Sequence, residues 1–184
     1  MDASLLIIIA VALFVIFFVI QYNRLIRLNI QVDEAFAQIE VQLKRRADLI
    51  PNLVETVKGY ASHEREALEK VVQARAASTT ASTLPAIAAA DGALTNALRG
   101  LLAVAEAYPD LKASTNFLQL QEELSTTENK VSFARQFYND SVRSLNTAVK
   151  TVPTSFFAGF AKVGEREFYE VDDPTIRNAP NVKF

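Results

Sequence analysis

The sequence predicts an all-α membrane protein, in which one N-terminal transmembrane helix is continuous with an antiparallel four-helix bundle and an extended C-terminal tail follows. Three observations predict this class: an unbroken apolar run near the N-terminus, apolar residues spaced three and four apart, and only 5 Gly and 6 Pro in 184 residues. That spacing is typical of amphipathic helices, and few Gly and Pro leave long helices uninterrupted. The expected organisation is an anchor (1–22), a bundle (23–152) and a Phe-rich segment with an extended tail (153–184).

The apolar run LLIIIAVALFVIFFVI, from Leu5 to Ile20, has the composition of a membrane span. Its flanking residues extend it to about the 20 residues that cross a bilayer. A cleaved signal peptide is disfavoured, because Asp2 stands where a basic residue is usual and no small-residue cleavage site follows. A buried soluble helix is the other alternative. The run contains no glycine, so any assembly is expected to involve the soluble part.

Positive charge follows the anchor and does not precede it. Arg24 and Arg27 come directly after the apolar run, which by the positive-inside rule places the C-terminal bundle in the cytoplasm. Tyr22 lies where an interfacial aromatic residue is expected. Tyr22, Arg24 and Arg27 are therefore candidate membrane-interface residues.

The apolar pattern divides the bundle into four helices. The first continues from the anchor and is expected to end at a turn over Asp48–Ile50, because Pro51 lacks the N–H that an inner helical turn requires. The alternative is one helix from residue 5 to about residue 78, about 110 Å long. The other three helices are predicted at Pro51–Ala77, Leu84–Ala107 and Ser114–Val152, with a polar hinge at Ser78–Thr83.

A Phe-rich segment, TSFFAGF, follows the last predicted helix. In an antiparallel bundle this helix runs back towards the membrane. Phe156, Phe157 and Phe160 are therefore expected either to enter the lipid interface or to close the open end of the bundle. The second interpretation is favoured, because apolar residues after a helix usually cap a core.

Residues 46–64, RADLIPNLVETVKGYASHE, contain the single histidine of the sequence, His63. A zinc protease helix requires a second histidine four positions later, where this sequence has Ala67. Ser62 adjoins His63, but neighbouring helical side chains point about 100° apart. Catalysis by His63 is therefore disfavoured, and Arg45 or Arg46 is expected to pair with Asp48 or to cap the helix.

The last helix carries a second polar set. Metal sites in bundles use Glu-x-x-His pairs, which the sequence lacks, so we expect no metal and no cofactor. The favoured interpretation is a solvated face with a few interhelical hydrogen bonds. The set comprises Glu122, Glu123, Glu128, Asn129, Arg135, Asn139, Arg143 and Asn146.

Composition and motifs disfavour several other functions. A net charge of −2 gives no electrostatic signal for nucleic acid. The absence of cysteine excludes disulfides, thiolate catalysis and cysteine-bound zinc. The phosphate-binding and nucleophile-elbow motifs are also missing, so no enzyme class is indicated.

Two long segments resemble the LemA family of bacterial membrane proteins: QVDEAFAQIEVQLKRRADLIPNLVETVKGYASHE and LLAVAEAYPDLKASTNFLQLQEELSTTENKVSFARQFYNDSVRSLN. The ending APNVKF is similar to the apolar terminus of that family. The resemblance implies one span in the bacterial inner membrane, a cytoplasmic helical bundle and no established enzymatic activity. The matching positions are interpreted as corner, interhelical or assembly contacts: Arg46, Asp48, Pro51, Asn52, Glu106, Tyr108, Pro109, Glu123, Glu128, Arg135, Tyr138 and Asn139.

The favoured function is a non-enzymatic scaffold that assembles with copies of itself and shapes or organises the membrane. Its expected partners are the lipid bilayer, further copies of the chain and other membrane proteins, and nucleic acid is not among them. One alternative is a bundle that senses or binds a small molecule or a lipid. A metal-dependent membrane hydrolase is the less favoured alternative.

Overall fold

The computed structural model describes residues 3–170, and over that range the protein is helical with no strand. The predicted all-α class, with a long apolar N-terminal helix leading into a bundle, is confirmed. The helices are α1 (Ala3–Tyr60), α2 (Arg65–Thr80), α3 (Leu84–Ala105), α4 (Pro109–Lys112), α5 (Thr115–Lys150) and α6 (Ser155–Ala161).

The described chain forms two compact units. The anchor unit comprises residues 3–38 and 134–168, and the bundle unit comprises residues 39–133 and 169–170. The bundle unit contains the end of α1, all of α2 to α4 and the start of α5. The anchor unit contains the start of α1, the end of α5, and α6.

Helix α1 runs without interruption through Pro51, so the predicted turn over Asp48–Ile50 and the predicted helix start at Pro51 are both wrong. A proline leaves the carbonyl four residues earlier without its helical donor. Here that carbonyl belongs to Ala47, and Nε of Arg75 on α2 donates a hydrogen bond to it at 2.8 Å. A side chain from a neighbouring helix therefore replaces the bond that Pro51 cannot make.

Burial also keeps α1 helical beyond the proline, up to a short turn at residues 61–64. The apolar stripe continues at the same spacing, and its side chains form the core of the bundle unit with α2, α3 and α5. Breaking the helix at residue 48 would move this stripe out of register with its partners. Core residues that follow Asp48 on α1 are Ile50, Leu53 and Val57, all fully buried.

Helices α3 and α5 lie close to their predicted bounds. Thr83 caps α3, its hydroxyl accepting a hydrogen bond from the amide of Ala86 at 3.4 Å. Asp91 and Gly92 both lie inside α3, and Asp91 is buried. The Tyr108-Pro109 step begins a single turn, α4, rather than a loop.

In the anchor unit, α1 and α5 pack in opposite directions. Phe36 contacts Tyr138 with ring centroids 5.9 Å apart, while Leu25 packs with Ala148 further along α5. Residue numbers on α5 therefore increase along the contact as those on α1 decrease, which shows that the two helices are antiparallel. The antiparallel pairing brings α6, which follows α5, beside the apolar part of α1.

Two described helices are long and apolar enough to cross a membrane, α1 and α3. The most apolar window of α1 is not buried within the structure. Helix α3 instead contributes Leu94, Leu98 and Leu101 to the core of the bundle unit. Its apolar character is therefore accounted for by burial against the neighbouring helices.

The predicted extended tail is only partly described. Residues 163–170 have no helix or strand, and residues 171–184, including APNVKF, lie outside the described range.

Candidate functional site

Arg46 of α1 and Asp91 of α3 form a buried ion pair in the bundle unit. The side chains are 3% and 2% exposed, and Nη1 of Arg46 lies 3.0 Å from Oδ1 of Asp91. The same nitrogen donates to the hydroxyl of Thr95 at 3.0 Å, and the hydroxyl of Tyr169 donates to Oδ2 of Asp91 at 3.4 Å. Among described residues, Nε of Arg46 has no hydrogen-bond partner. This pair fixes α1 against α3 close to Asp48–Ile50, where the sequence analysis predicted a turn.

The expected pairing of Arg45 or Arg46 with Asp48 is not formed. Asp48 is exposed and pairs with Lys44 at 3.3 Å, one turn earlier on α1. The reason is the continuous helix: without a turn, Arg46 points to the core and Asp48 to solvent. The two residues therefore have different environments despite their closeness in sequence.

A polar groove brings together two of the predicted site residues, Asn52 of α1 and Glu123 of α5. It is an open surface groove of about 410 Å³ in the bundle unit. Its amides and carboxylates offer hydrogen-bonding groups to a polar ligand or partner. The other lining residues are Glu55, Thr56, Asn116, Gln119 and Leu120.

The carboxylates of α5 do not converge. Glu122, Glu123 and Glu128 are all exposed. Across residues 3–170, no group of three or more His, Asp or Glu side chains is arranged to hold a metal ion. Arg135 and Asn139 are half-buried and engaged in contacts, and the remaining members of the set divide between solvent and the C-terminal segment.

His63 lies exposed in the turn after α1. Its neighbour Glu64 instead accepts a hydrogen bond from the hydroxyl of Tyr108 at 3.1 Å. This bond to a carboxylate raises the pKa of Tyr108, with burial and the negative charge of Glu64 acting in the same direction. Glu64 therefore binds Tyr108, which is one of the positions that match the LemA segments.

Tyr138 and Asn146 hold the segment that follows α6, residues 163–168, which we call the strap. The amide of Asn146 donates to the carbonyl of Arg166 and its oxygen accepts from the N–H of Arg166, both at 2.9 Å. The hydroxyl of Tyr138 donates to the carbonyl of Glu167 at 2.9 Å. Both side chains bind main-chain groups, so they fix the path of the strap rather than its side chains.

Ion pairs add to this hold. Arg166 pairs with Asp33 of α1, and Lys150 of α5 pairs with Glu165 at 2.7 Å. Burial is the main cause that raises the pKa of Tyr138; the nearby positive charge of Arg166 opposes the shift. The strap thus ties α1 to α5 within the anchor unit.

The predicted membrane-interface residues differ in burial. Phe157 is buried among Leu25, Ala148 and Ala158, whereas Phe156 and Phe160 are 70% and 73% exposed. Tyr22, Arg24 and Arg27 are exposed on α1. In the anchor unit Phe157 therefore closes an apolar cluster, while its two neighbours face outward.

Several residues that stabilise the helix packing within one unit or the other were not predicted. Asp91 was not among the predicted site residues, and the partners of Asn146 and Arg75 lie 20 and 28 positions away along the chain. A buried carboxylate or guanidinium needs a partner of opposite charge, so an Asp in an otherwise apolar helix was the available signal. These contacts are structural, and none of them joins a nucleophile to a base.

Comparison with known proteins places these residues in a family context. Residues 35–184 match the sequence profile described as the LemA family. A protein named LemA from Metamycoplasma hominis is 27% identical over 180 residues, covering 93% of this chain and 82% of its own length. Magnetosome protein MamQ 2 of Paramagnetospirillum magneticum is 22% identical, with coverage of 89% and 70%. Magnetosome protein MamQ of Magnetospirillum gryphiswaldense is 23% identical, with coverage of 82% and 66%.

Proposed function

Since this chain belongs to the LemA family, we propose that it is a membrane-anchored, non-enzymatic scaffold whose copies assemble with one another at a bacterial inner membrane. Two of the similar proteins are named for the magnetosome, which supports a role as a component of an organised cellular structure. The main support for the proposal is exposed apolar surface, which occurs both on the N-terminal part of α1 and on the bundle unit.

The surface of Leu5–Ile20 supports anchoring in a bilayer. Large side chains along this part of α1 are exposed to between 40% and 65%, apart from Phe18, which is partly buried. Such a continuous apolar surface is unfavourable in water and favourable in the hydrocarbon core of a membrane. With Arg24 and Arg27 directly after it, the preferred orientation has the N-terminus outside and the bundle in the cytoplasm.

A single crossing is supported by the environment of α3. A helix that crosses lipid alone rarely carries a buried carboxylate, because the charge has no water to solvate it. Asp91 of α3 is paired with Arg46 inside the bundle unit. Helix α3 therefore acts as a core helix of a domain in water.

Exposed apolar residues on the bundle unit support self-assembly. Isolated exposed aliphatic residues are common on monomeric proteins. Phe133, however, is 71% exposed, and aromatic residues are enriched at the centres of protein interfaces. We infer that Phe133 contacts another copy. Further exposed apolar residues of this unit are Val41, Val72 and Leu118.

A membrane strengthens weak contacts of this kind. Anchored copies are confined to two dimensions, so each contact forms at a high effective concentration. A modest interface around Phe133 is then sufficient for a large assembly. Such an assembly organises the membrane area that its anchors occupy.

The mass of the full-length protein, extracted with surrounding lipid by a polymer, tests the proposal. Mass photometry is expected to show a discrete particle of many copies. Phe133→Glu is expected to reduce the particle mass, whereas Ser132→Glu, which adds the same charge at the exposed neighbouring position, is expected to preserve it. A single-copy mass in lipid for the unmodified protein would contradict self-assembly and would direct the search to a different partner protein.

A further inference from the structure

Helix α6 presents two aromatic side chains beside the apolar part of α1. The ring of Phe157 lies 5.9 Å from that of Phe17 and 5.2 Å from that of Phe18, measured between centroids. Phe160 also contacts Phe18, at 6.0 Å. Helix α6 therefore lies level with the last turns of the apolar run of α1, all within the anchor unit.

The outward face of α6 continues the apolar surface of α1. Phe157 is buried, but Phe156 and Phe160 are 70% and 73% exposed. Phe17, one of the rings that α6 contacts, is itself 40% exposed. Contiguous exposed apolar surface of this kind marks a membrane or protein contact. Its continuity with the proposed membrane span selects the membrane.

Three cations lie just beyond this aromatic level. Arg24 and Arg27 follow Phe18 on α1, and Lys162 directly follows α6. All three are exposed, and none of their side chains makes a hydrogen bond or an ion pair with the rest of residues 3–170. Their charges are therefore available to an external anion.

Two acidic residues of the same unit, Asp33 and Glu165, are engaged elsewhere, while Glu34 and Glu167 are exposed and make no ion pair within residues 3–170. Asp33 pairs with Arg166, and Glu165 pairs with Lys150. Between the apolar run and Asp33, however, the charged residues of α1 are Arg24 and Arg27, so the charge nearest the aromatic rings on this helix is positive. Along the anchor unit, an apolar surface is followed by exposed aromatic rings and then by cations without a partner among the described residues. A phospholipid layer has the matching order of acyl chains, interface and headgroup phosphates.

We propose that Phe156, Phe160, Arg24, Arg27 and Lys162 form a lipid face that binds anionic phospholipids. The aromatic rings enter the interfacial layer, and the three cations contact headgroup phosphate and the excess negative charge of anionic lipids. The inference rests on the proposed membrane anchoring and adds a selectivity for headgroup charge. Anionic lipid then gathers around each copy at the base of the anchor.

A fluorescent reporter can be placed on this face, because the sequence contains no tryptophan. The full-length Phe160→Trp protein is reconstituted in vesicles of phosphatidylcholine with a minor fraction of phosphatidylglycerol. A nitroxide quencher is carried on the acyl chains of one lipid or the other, at the same mole fraction. Labelled phosphatidylglycerol is expected to quench the emission several-fold more than labelled phosphatidylcholine.

Variants in the same background identify the cause of the selectivity. Arg24→Gln, Arg27→Gln and Lys162→Gln together are expected to remove the difference between the two lipids while quenching by both continues. Lys162→Gln alone, which retains both arginines that orient the anchor, is expected to reduce the difference. Lys130→Gln, an exposed cation on the bundle unit, is the matched control and is expected to change nothing. Inorganic phosphate that replaces chloride at constant ionic strength is also expected to have no effect.

Equal quenching by the two lipids in the protein with all its cations would overturn the proposal, as would emission that neither lipid quenches. Vesicle flotation and mass photometry of the same samples separate this failure from that of the proposed function. Protein that floats and assembles but shows equal quenching contradicts only the lipid selectivity. Protein that does not float contradicts the anchoring and this inference with it.

Discussion

Arg75 donates a hydrogen bond from its Nε to the main-chain oxygen of Ala47, 2.8 Å away, which is the acceptor that Pro51 leaves without a helical partner. Ala47 is buried, so water is not a ready substitute. A proline in the interior of a helix is tolerated here because a side chain from another helix completes the hydrogen bonding.

Replacing Arg75 with Met is expected to lower the free energy of unfolding by about 1–3 kcal/mol, since it leaves a buried carbonyl unpaired. In a Pro51→Ala background the helix supplies its own N–H to Ala47, so the same change is expected to destabilise much less. Urea unfolding of the four proteins of this double-mutant cycle, in detergent, measures the coupling. Additive effects would show that the two residues act independently. Arg99→Met, an exposed cation of α3, serves as control and is expected to shift stability by about 0.5 kcal/mol or less.

The buried pair of Arg46 and Asp91 predicts an asymmetric response to mutation. Asp91→Ala leaves a guanidinium buried without its counter-charge and is expected to destabilise by about 3–5 kcal/mol. Arg46→Met with Asp91→Leu removes both charges and is expected to be considerably more stable than the single variant. Thermal and urea unfolding compare the two. Lys44→Met, which removes an exposed pair with Asp48, is expected to cost about 0–1 kcal/mol. A loss below about 1 kcal/mol for Asp91→Ala would mean that the pair does not fix α1 to α3.

Asn146 is expected to control access to the strap. Asn146→Ala removes both hydrogen bonds to the main chain of Arg166, a loss of about 1–2 kcal/mol in local stability and about a 5–30-fold rise in the open population. Trypsin should therefore cut after Arg166 faster by that factor, provided that opening and closing are fast relative to cleavage. Asn129→Ala, an exposed amide on the same helix, gives the background rate. Equal cleavage rates in the two variants would contradict the role of Asn146.

The hold of Tyr138 on Glu167 is expected to weaken in alkali. Burial raises the pKa of Tyr138, so the folded protein favours the neutral phenol. The resulting stabilisation is fully present below the ordinary tyrosine pKa of about 10 and is lost as the pH rises through the higher folded value. At a pH of about 8 the unmodified protein should exceed Tyr138→Phe in stability by about 1 kcal/mol, and the gap should close at strongly alkaline pH. Tyr60→Phe, at a ring that is 48% exposed, is the control at a pH of about 8 and is expected to change stability by about 0.5 kcal/mol or less. A gap for Tyr138→Phe that stays constant with pH would contradict ionisation of this residue.

The spacing of apolar residues correctly predicted those helices whose bounds depend on nearby residues alone. Helix α5 lies within two residues of its predicted ends, because its apolar positions keep a three-four spacing with a single one-residue shift before Val142. The turn expected at Asp48–Ile50 failed for a non-local reason: the group that compensates for Pro51 is Arg75, 28 residues from Ala47. No property of the residues around Pro51 reveals that donor.

The residues that make the structural contacts also divide into some that the sequence analysis named and some that it missed. Arg46 and Tyr138 were interpreted as corner, interhelical or assembly contacts. In the structure Arg46 donates a hydrogen bond to Asp91 of α3, and Tyr138 donates one to the carbonyl of Glu167 in the strap. Asp91 and Arg166 were missed as structural residues, and Asn146 was named only as one of a polar set without its partner. A polar side chain has the same sequence signature whether it faces solvent or a distant segment. The three phenylalanines of α6 illustrate the limit, since Phe157 and Phe156 are neighbours of identical chemistry with opposite exposure.

The contact of α6 with α1 bears on how a water-soluble version of this protein should be designed. Deleting residues 3–20 removes Phe17 and Phe18, the ring partners of Phe157 and Phe160. The shortened protein then exposes an aromatic surface that the full-length chain covers in part. Purification without detergent therefore requires polar replacements on α6 together with the deletion. If a fragment with the deletion alone aggregates, the cause is the newly exposed aromatic surface and not a property of the native bundle.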